Sequence, residues 1–328
     1  MTKPLFYKKT GNAVTCTLCP NNCLIKEGKS GSCRIRFNRN GNMKIPFAGK
    51  ISALAVDPVE KKPLYHFFPG KDILSTGFYG CSLKCPFCQN YSISSGTRIE
   101  SDTVSPEDMA AAAAKSGTIG LAYTYSEPSV HIEWVYETSK LLHKKNLKNV
   151  LVTNGYINLP AAEYLLENTD AANIDLKSFN PDFYSKELGG RLEPVKEFIR
   201  LASAKIHIEV TTLVIPGKND STEEIREIAG FLSGIDRKIP YHLSCYFPAY
   251  KYTDPPTKSD TVLRLADAAL QYLDYVYPGN MGPRDNSTLC PVCSSILVKR
   301  TGYKAEAGGL DKDGKCLGCG EKTSIVLK

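Results

Sequence analysis

No apolar run reaches the roughly 18 residues that a membrane-spanning helix needs, and residues 1–14 lack the apolar core of a secretory signal. A soluble, cytoplasmic protein with no membrane partner is the expectation. A long-period internal repeat is also missing, which excludes solenoids and propellers. The 328 residues, 42% of them hydrophobic, are enough to bury one large core and to leave room for small satellite modules.

Cysteine, by contrast, is plentiful: there are twelve. A reducing cytosol keeps thiols free, so their grouping points to metal ligation and not to disulfides. Four are Cys16, Cys19, Cys23 and Cys33; three are Cys81, Cys85 and Cys88; four are Cys290, Cys293, Cys316 and Cys319; Cys245 stands alone.

Between about Ile73 and Pro278 short β-rich runs alternate with amphipathic or Ala-rich stretches, the pattern of repeated βα units. Strands are predicted at Ile73–Tyr79, Ile119–Tyr125, Val150–Thr153, Ala172–Leu176, Ile206–Ile215 and Tyr241–Phe247, with another beginning near Tyr275–Tyr277. Ser105 followed by Pro106, Glu107 and Asp108 supplies an N-cap, a proline at the first helical position and acidic residues in the first turn, so a helix runs through Ala110–Ala114. Later helices are predicted at Val130–His143, Ala161–Glu167, Glu193–Ser203, Glu223–Leu232 and Asp260–Leu273. Six such units suffice for a partial (β/α) barrel, whose reactive groups come from the C-terminal ends of strands. The cysteine trio, Ser126 and Glu127, Asn154 and Gly155, Lys177, and Pro216 and Gly217 all fall at such ends; a doubly wound sheet would also put ligands there.

The run Gly80-Cys81-Ser82-Leu83-Lys84-Cys85-Pro86-Phe87-Cys88 sets three thiols on one loop with no fourth cysteine nearby. Clusters that only carry electrons take four thiolates, so three imply an iron with an open position. Zinc is the alternative, and would need a fourth ligand such as His66 or His131. The spacing resembles the CxxxCxxC motif of radical S-adenosylmethionine (SAM) enzymes. Taken with Asp57-Pro58-Val59-Glu60-Lys61-Lys62-Pro63-Leu64-Tyr65-His66-Phe67, Gln89-Asn90, Tyr125-Ser126-Glu127-Pro128, Val152-Thr153-Asn154-Gly155-Tyr156, Asp175-Leu176-Lys177, Val214 to Asp220 and Pro255-Pro256-Thr257, the chain resembles the radical-SAM member of the AmmeMemoRadiSam system, related to pyruvate formate-lyase activating enzymes.

That resemblance implies a partial (β/α)6 TIM-like barrel and a [4Fe-4S] cluster on Cys81, Cys85 and Cys88. It implies reductive cleavage of SAM to a 5′-deoxyadenosyl radical, and hydrogen abstraction from a protein, RNA or small-molecule substrate. The enzyme would be an oxidoreductase or a transferase, fed by an electron donor such as flavodoxin or ferredoxin and partnered by Memo-type pathway proteins. Glu127 resembles the position that receives the SAM amino group, with Tyr-Ser-Glu-Pro in place of Gly-Gly-Glu. Lys177 resembles the lysine that meets the SAM carboxylate, Asn154 is a candidate for the same pocket, and Phe87 would pack on the cluster loop or the adenine. Asp175 resembles a carboxylate that helps hold a monovalent cation, but Val152 stands where a second aspartate would be expected, so no cation is predicted. Alternative readings are a glycyl radical enzyme activase and a non-catalytic metal-binding scaffold. Glu127 could equally cap the helix after Pro128, Lys177 could be a solvated lysine, and Cys245 a small buried hydrophobe.

Residues 1–50 and 286–328 read as metal-stapled modules flanking a barrel over 51–285, since pieces this short bury little apolar surface unaided. Cys290-x2-Cys293 and Cys316-x2-Cys319 form two knuckles 22 residues apart, a zinc-ribbon-like or rubredoxin-like set for zinc or iron. For Cys16, Cys19, Cys23 and Cys33, zinc is preferred over a second Fe-S cluster. The formal charge of +7 invites a nucleic-acid reading, but counting thiolates with their bound ions brings it to roughly +2, which makes no case for RNA or DNA.

Overall fold

Seven parallel strands and one antiparallel edge strand form a single sheet in the computed structural model, which describes residues 3–95, 101–282 and 284–328. They are β1 (Ala53–Pro58), β2 (Asp72–Gly77), β3 (Gly120–Thr124), β4 (Lys148–Thr153), β5 (Ala171–Asp175), β6 (His207–Val214), β7 (Tyr241–Cys245) and β8 (Val276–Gly279). β1 pairs antiparallel with β2, and every later neighbour pair is parallel. The spatial order follows the chain order without reversal. A doubly wound sheet reverses at a switch point; an unreversed order means that every crossover winds the same way, which is a barrel left open between β8 and β1.

Six helices cover the outside: α1 (Pro106–Lys115), α2 (Ile132–His143), α3 (Leu159–Leu166), α4 (Leu192–Ser203), α5 (Thr222–Ser233) and α6 (Ser259–Ala269). Ser105 Oγ accepts the Asp108 N–H at 3.0 Å and starts α1 as the capping pattern predicts. Ser221 does the same for Glu224 at 3.1 Å in α5. Helix α4 turns Leu192, Val195, Phe198, Ile199 and Ala202 inward at helical spacing. β3 is buried at all five positions because helices cover one face and the barrel interior the other.

Several elements escaped the sequence reading, two of them in the barrel wall. β1 alternates poorly, exposes Leu54 and Val56, and ends in Pro58, all properties of an edge strand. Phe183–Leu188 forms a π-helix, closed by Gly189 at φ +65°.

The flanking segments differ in how they attach. The strands Tyr7–Thr10, Ala13–Cys16 and Leu24–Ile25 form a small sheet beside the hairpin Phe37–Arg39/Asn42–Lys44. Their Val14, Cys16, Leu18, Ile25 and Met43 belong to the same apolar cluster as the barrel, and buried Arg36 makes a two-pronged ion pair with Glu133 of α2 at 2.9 and 3.1 Å. The C-terminal strands Thr288–Leu289, Ile296–Thr301 and Lys304–Glu306 instead close over a core of their own, with Cys290, Leu297, Val298, Leu310, Cys316 and Ile325. No helix among the described residues is long and apolar enough to cross a membrane.

Candidate active site

The loop after β2 carries Cys81, Cys85 and Cys88, and its backbone is pinned on several sides. Gly80 N–H donates to Ile93 O at 2.9 Å, Lys84 N–H to Leu188 O at 2.9 Å, and Lys251 N–H to Pro86 O at 2.8 Å. Gly80, at φ +81°, takes a conformation other residues resist, and a Cβ there would lie 2.5 Å from the Cys33 carbonyl oxygen. All twelve cysteines are free of disulfides.

The three thiols open into one cavity of about 500 Å³, whose wall also includes Glu127, Asn154, Asp175 and Lys177. These come from the C-terminal ends of β3, β4 and β5, as barrel geometry requires. A larger cleft of about 1210 Å³ lies between the N-terminal segment and α2; the residues lining it include no cysteine, and the smaller cavity is the candidate site.

Glu127 is buried and engaged by both oxygens: Oε1 accepts Ser129 N–H at 3.0 Å and Thr153 Oγ1–H at 2.7 Å, and Oε2 accepts Asn154 N–H at 2.9 Å. Capping is therefore a real part of its role. Burial pushes its carboxyl above the ordinary glutamate range, against those hydrogen bonds. Asn154 Nδ2–H reaches Ser82 Oγ at 3.2 Å and Cys81 Sγ at 3.4 Å, while its Oδ1 accepts Tyr156 N–H at 2.8 Å, so it steadies the cysteine loop from β4. Lys177 Nζ pairs with Asp175 Oδ2 at 2.9 Å. Burial works against its charge, but Asp175 and Cys85 outweigh it and hold the ammonium above the ordinary lysine range. Lys177 is thus a half-buried, paired cation and not a freely solvated one.

Burial raises the bare Cys81 thiol, with Glu127 adding to the shift, and raises Cys85 to about 11, with Lys177 opposing. Without a metal these groups would stay protonated; a cluster that displaces the protons fits the set. N–H donors already face the Cys81 sulfur, from Leu83 at 3.4 Å as well as from Asn154. The histidines considered as a fourth zinc ligand are committed elsewhere. The His131 ring meets Tyr79 O at 2.8 Å, and His66 bonds Ser324 and Tyr277, both at 2.7 Å, among residues that hold the C-terminal segment.

Phe87 is buried against Phe183 and Tyr252, behind the loop and not on the cavity wall. Val152 does line the cavity, and Cys245 is a buried member of the main core. Two groups on the wall received no role from sequence. Asp57 accepts Lys62 at 2.8 Å, Tyr125 O–H at 3.0 Å and Lys61 at 3.2 Å, bonds that hold its carboxyl well below the usual range despite its desolvation. Tyr303, from the C-terminal hairpin, reaches the rim, with Lys61 Nζ 5.5 Å from its ring centroid. The Asp57 motif was visible in the resemblance; nothing in the sequence around Tyr303 announces its position.

At the C-terminus, the sulfurs of Cys290, Cys293, Cys316 and Cys319 lie within 4.8 Å of one another, with Cys290–Cys319 and Cys293–Cys316 both at 3.6 Å. Among the described residues no other set of three or more candidate metal ligands is that tight.

The radical SAM superfamily matches residues 76–232, from the end of β2 into α5. An uncharacterized protein of Methanocaldococcus jannaschii is 40% identical over 336 residues, covering 100% of both chains. The pyruvate formate-lyase 1-activating enzyme of Escherichia coli is 23% identical over 179 residues, 51% of this chain and 73% of that one. Streptococcus suis SuiB bound to S-adenosylmethionine shares the fold at a TM-score of 0.51 and 16% identity, over 68% of this chain and 53% of that one. The match across the strands that frame the cysteine loop shows that this chain carries a domain of the radical SAM superfamily, whose members are enzymes built around a [4Fe-4S] cluster and SAM.

Proposed function

We propose that Cys81, Cys85 and Cys88 hold a site-differentiated [4Fe-4S] cluster, and that Glu127, Asn154, Asp175 and Lys177 form the SAM pocket beside it. The observation that carries this reading is the convergence of three thiols and these four polar side chains on one cavity at the C-terminal mouth of the barrel. The bound cofactors supply reductive cleavage of SAM and abstraction of a hydrogen atom from a substrate. The chain's own residues bind and orient. Lys177 offers a positive point charge suited to a carboxylate, Glu127 offers its remaining lone pairs to an amino group, and Asn154 steadies the cysteine loop. A flavodoxin- or ferredoxin-class protein provides the electron. The two outer cysteine groups serve as metal-stapled modules over residues 1–50 and 286–328, and zinc suits the C-terminal set, since tetrahedral coordination at 2.3 Å places sulfurs about 3.8 Å apart.

For the substrate we favour a protein, RNA or small molecule of a Memo-associated pathway, in line with the AmmeMemoRadiSam resemblance. In support, Tyr303 of the C-terminal segment reaches the cavity rim, and the stretch shared with the activating enzymes is 51% of this chain. That same similarity supports glycyl-radical activation as a second reading.

Anoxically reconstituted protein given dithionite and SAM should form 5′-deoxyadenosine, and Cys85→Ala should abolish it. No product from the wild type would leave only a metal-binding scaffold. A glycyl-radical EPR doublet raised on a candidate partner would favour the activase reading over the first.

A further inference from the structure

We infer that Cys16, Cys19, Cys23 and Cys33 hold a second iron-sulfur cluster, set directly against the Cys81 loop, in place of the structural zinc preferred from the sequence. The site is separate from the one on which the proposed function rests.

Sulfur spacing carries the first half. A single tetrahedral ion draws four thiolates to one centre, and the C-terminal set already has that form, with all four sulfurs inside 4.8 Å. In a cubane each thiolate binds its own iron, so the sulfurs stand farther apart. Among the described residues neither the N-terminal four nor the central three contains a set of three within 4.8 Å of one another. The N-terminal set, like the central loop, is therefore not drawn to one point as the C-terminal four are. One of its sulfurs also has a backbone N–H beside it, Ser32 N–H at 3.4 Å from Cys23 Sγ. Such hydrogen bonds to sulfur are one means by which a protein sets a cluster's potential.

Placement carries the second half. Asn21, between Cys19 and Cys23, donates to Ser32 Oγ and to Ser82 O, both at 2.9 Å, so one side chain joins the two cysteine loops. Gly80 lies against Ile35 and the Cys33 carbonyl, and Ser32 and Arg34 share a small cavity with Cys81, Cys85 and Cys88. A module present only for stability has no need to dock on the redox loop; the C-terminal module, whose thiols fit a zinc ion, meets that cavity only at its rim, through Tyr303.

The full-length chain, reconstituted anoxically with iron and sulfide, should hold about eight irons and eight sulfides. The variant Cys81→Ala/Cys85→Ala/Cys88→Ala should keep about four of each and give a reduced-cluster EPR signal with dithionite. Cys19→Ser/Cys23→Ser should lose the other half. Since these last substitutions can unfold the module they probe, the triple variant, which leaves that module whole, is decisive. If it retains no iron or sulfide and carries two zinc ions per chain, the inference is overturned while the proposed function stands. If wild type and triple variant hold equal iron, the N-terminal site stands and the proposed function fails. In the doubly loaded, reduced protein the two signals should broaden or split each other; a plain sum of independent spectra would overturn the placement against the Cys81 loop.

Discussion

The two four-cysteine modules carry the same residue type and attach by different physics. The N-terminal one has no separate core: Leu18 and Ile25 are buried among barrel residues, and Arg36 is paired inside with Glu133. The C-terminal one carries its own small core and is fastened by polar contacts. Arg300 donates to Tyr65 O and Thr288 Oγ1 and stacks 4.4 Å from the Tyr65 ring centroid, and Lys238 pairs with Glu321 at 2.7 Å. Beneath lies Glu209, fully buried, which takes bonds from the Tyr65 and His66 N–H groups and from the His242 ring. Shared apolar burial makes one cooperative unit, whereas polar fastening leaves a unit that can open on its own.

The largest test of that contrast is a matched pair of cavities. Leu18→Ala and Leu297→Ala each remove a fully buried side chain, at a cost of about 2–5 kcal/mol. The first should lower the single melting transition of the barrel; the second should raise hydrogen exchange across 286–328 and leave the barrel transition in place. One shared transition for both would erase the distinction.

Acid should act on the N-terminal side. His131 lies beneath Tyr79, which packs with Cys33 and Ile35, and burial depresses its imidazole to about 4. The unfolded chain then binds the extra proton between the ordinary value near 6.5 and about 4, so stability falls as pH drops through that window, by on the order of 3 kcal/mol. His131→Gln should flatten this part of the pH–stability curve measured by chemical denaturation; an unchanged curve would assign the effect elsewhere.

Arg300→Ala should cost about 1–3 kcal/mol, since it strips a hydrogen-bond donor from a buried carbonyl, and limited proteolysis should then release the C-terminal segment first. Release of the N-terminal segment first would contradict the assignment. The smallest effect belongs to Tyr303→Ala: this side chain is 54% exposed, so stability should stay within about 0.5 kcal/mol, while SAM cleavage without substrate continues. A collapse in stability would show that the hairpin tip holds the module in place.

The βα rhythm, the Ser105 cap and the end-of-strand positions of Cys81, Glu127, Asn154 and Lys177 were all legible, because each depends on local spacing, and strand and helix periods are local properties. The edge strand β1 was not, because Leu54 and Val56 face outward and blur its alternation. The bonds that Glu127 accepts from Thr153 and Asn154 and the withdrawal of Phe87 into the core depend on neighbours tens of residues away.

By itself, the sequence determined the three-cysteine loop, the repeated units and the radical SAM domain, since cysteine spacing and secondary structure both follow from short-range order. Only the tertiary structure decided that the sheet runs in one unreversed order, that Tyr303 arrives at the cavity rim, and that one cysteine module shares the barrel's core while the other keeps its own. Those outcomes turn on which distant apolar surfaces meet and on how closely backbones such as Gly80 and Cys33 approach, and no spacing along the chain encodes that.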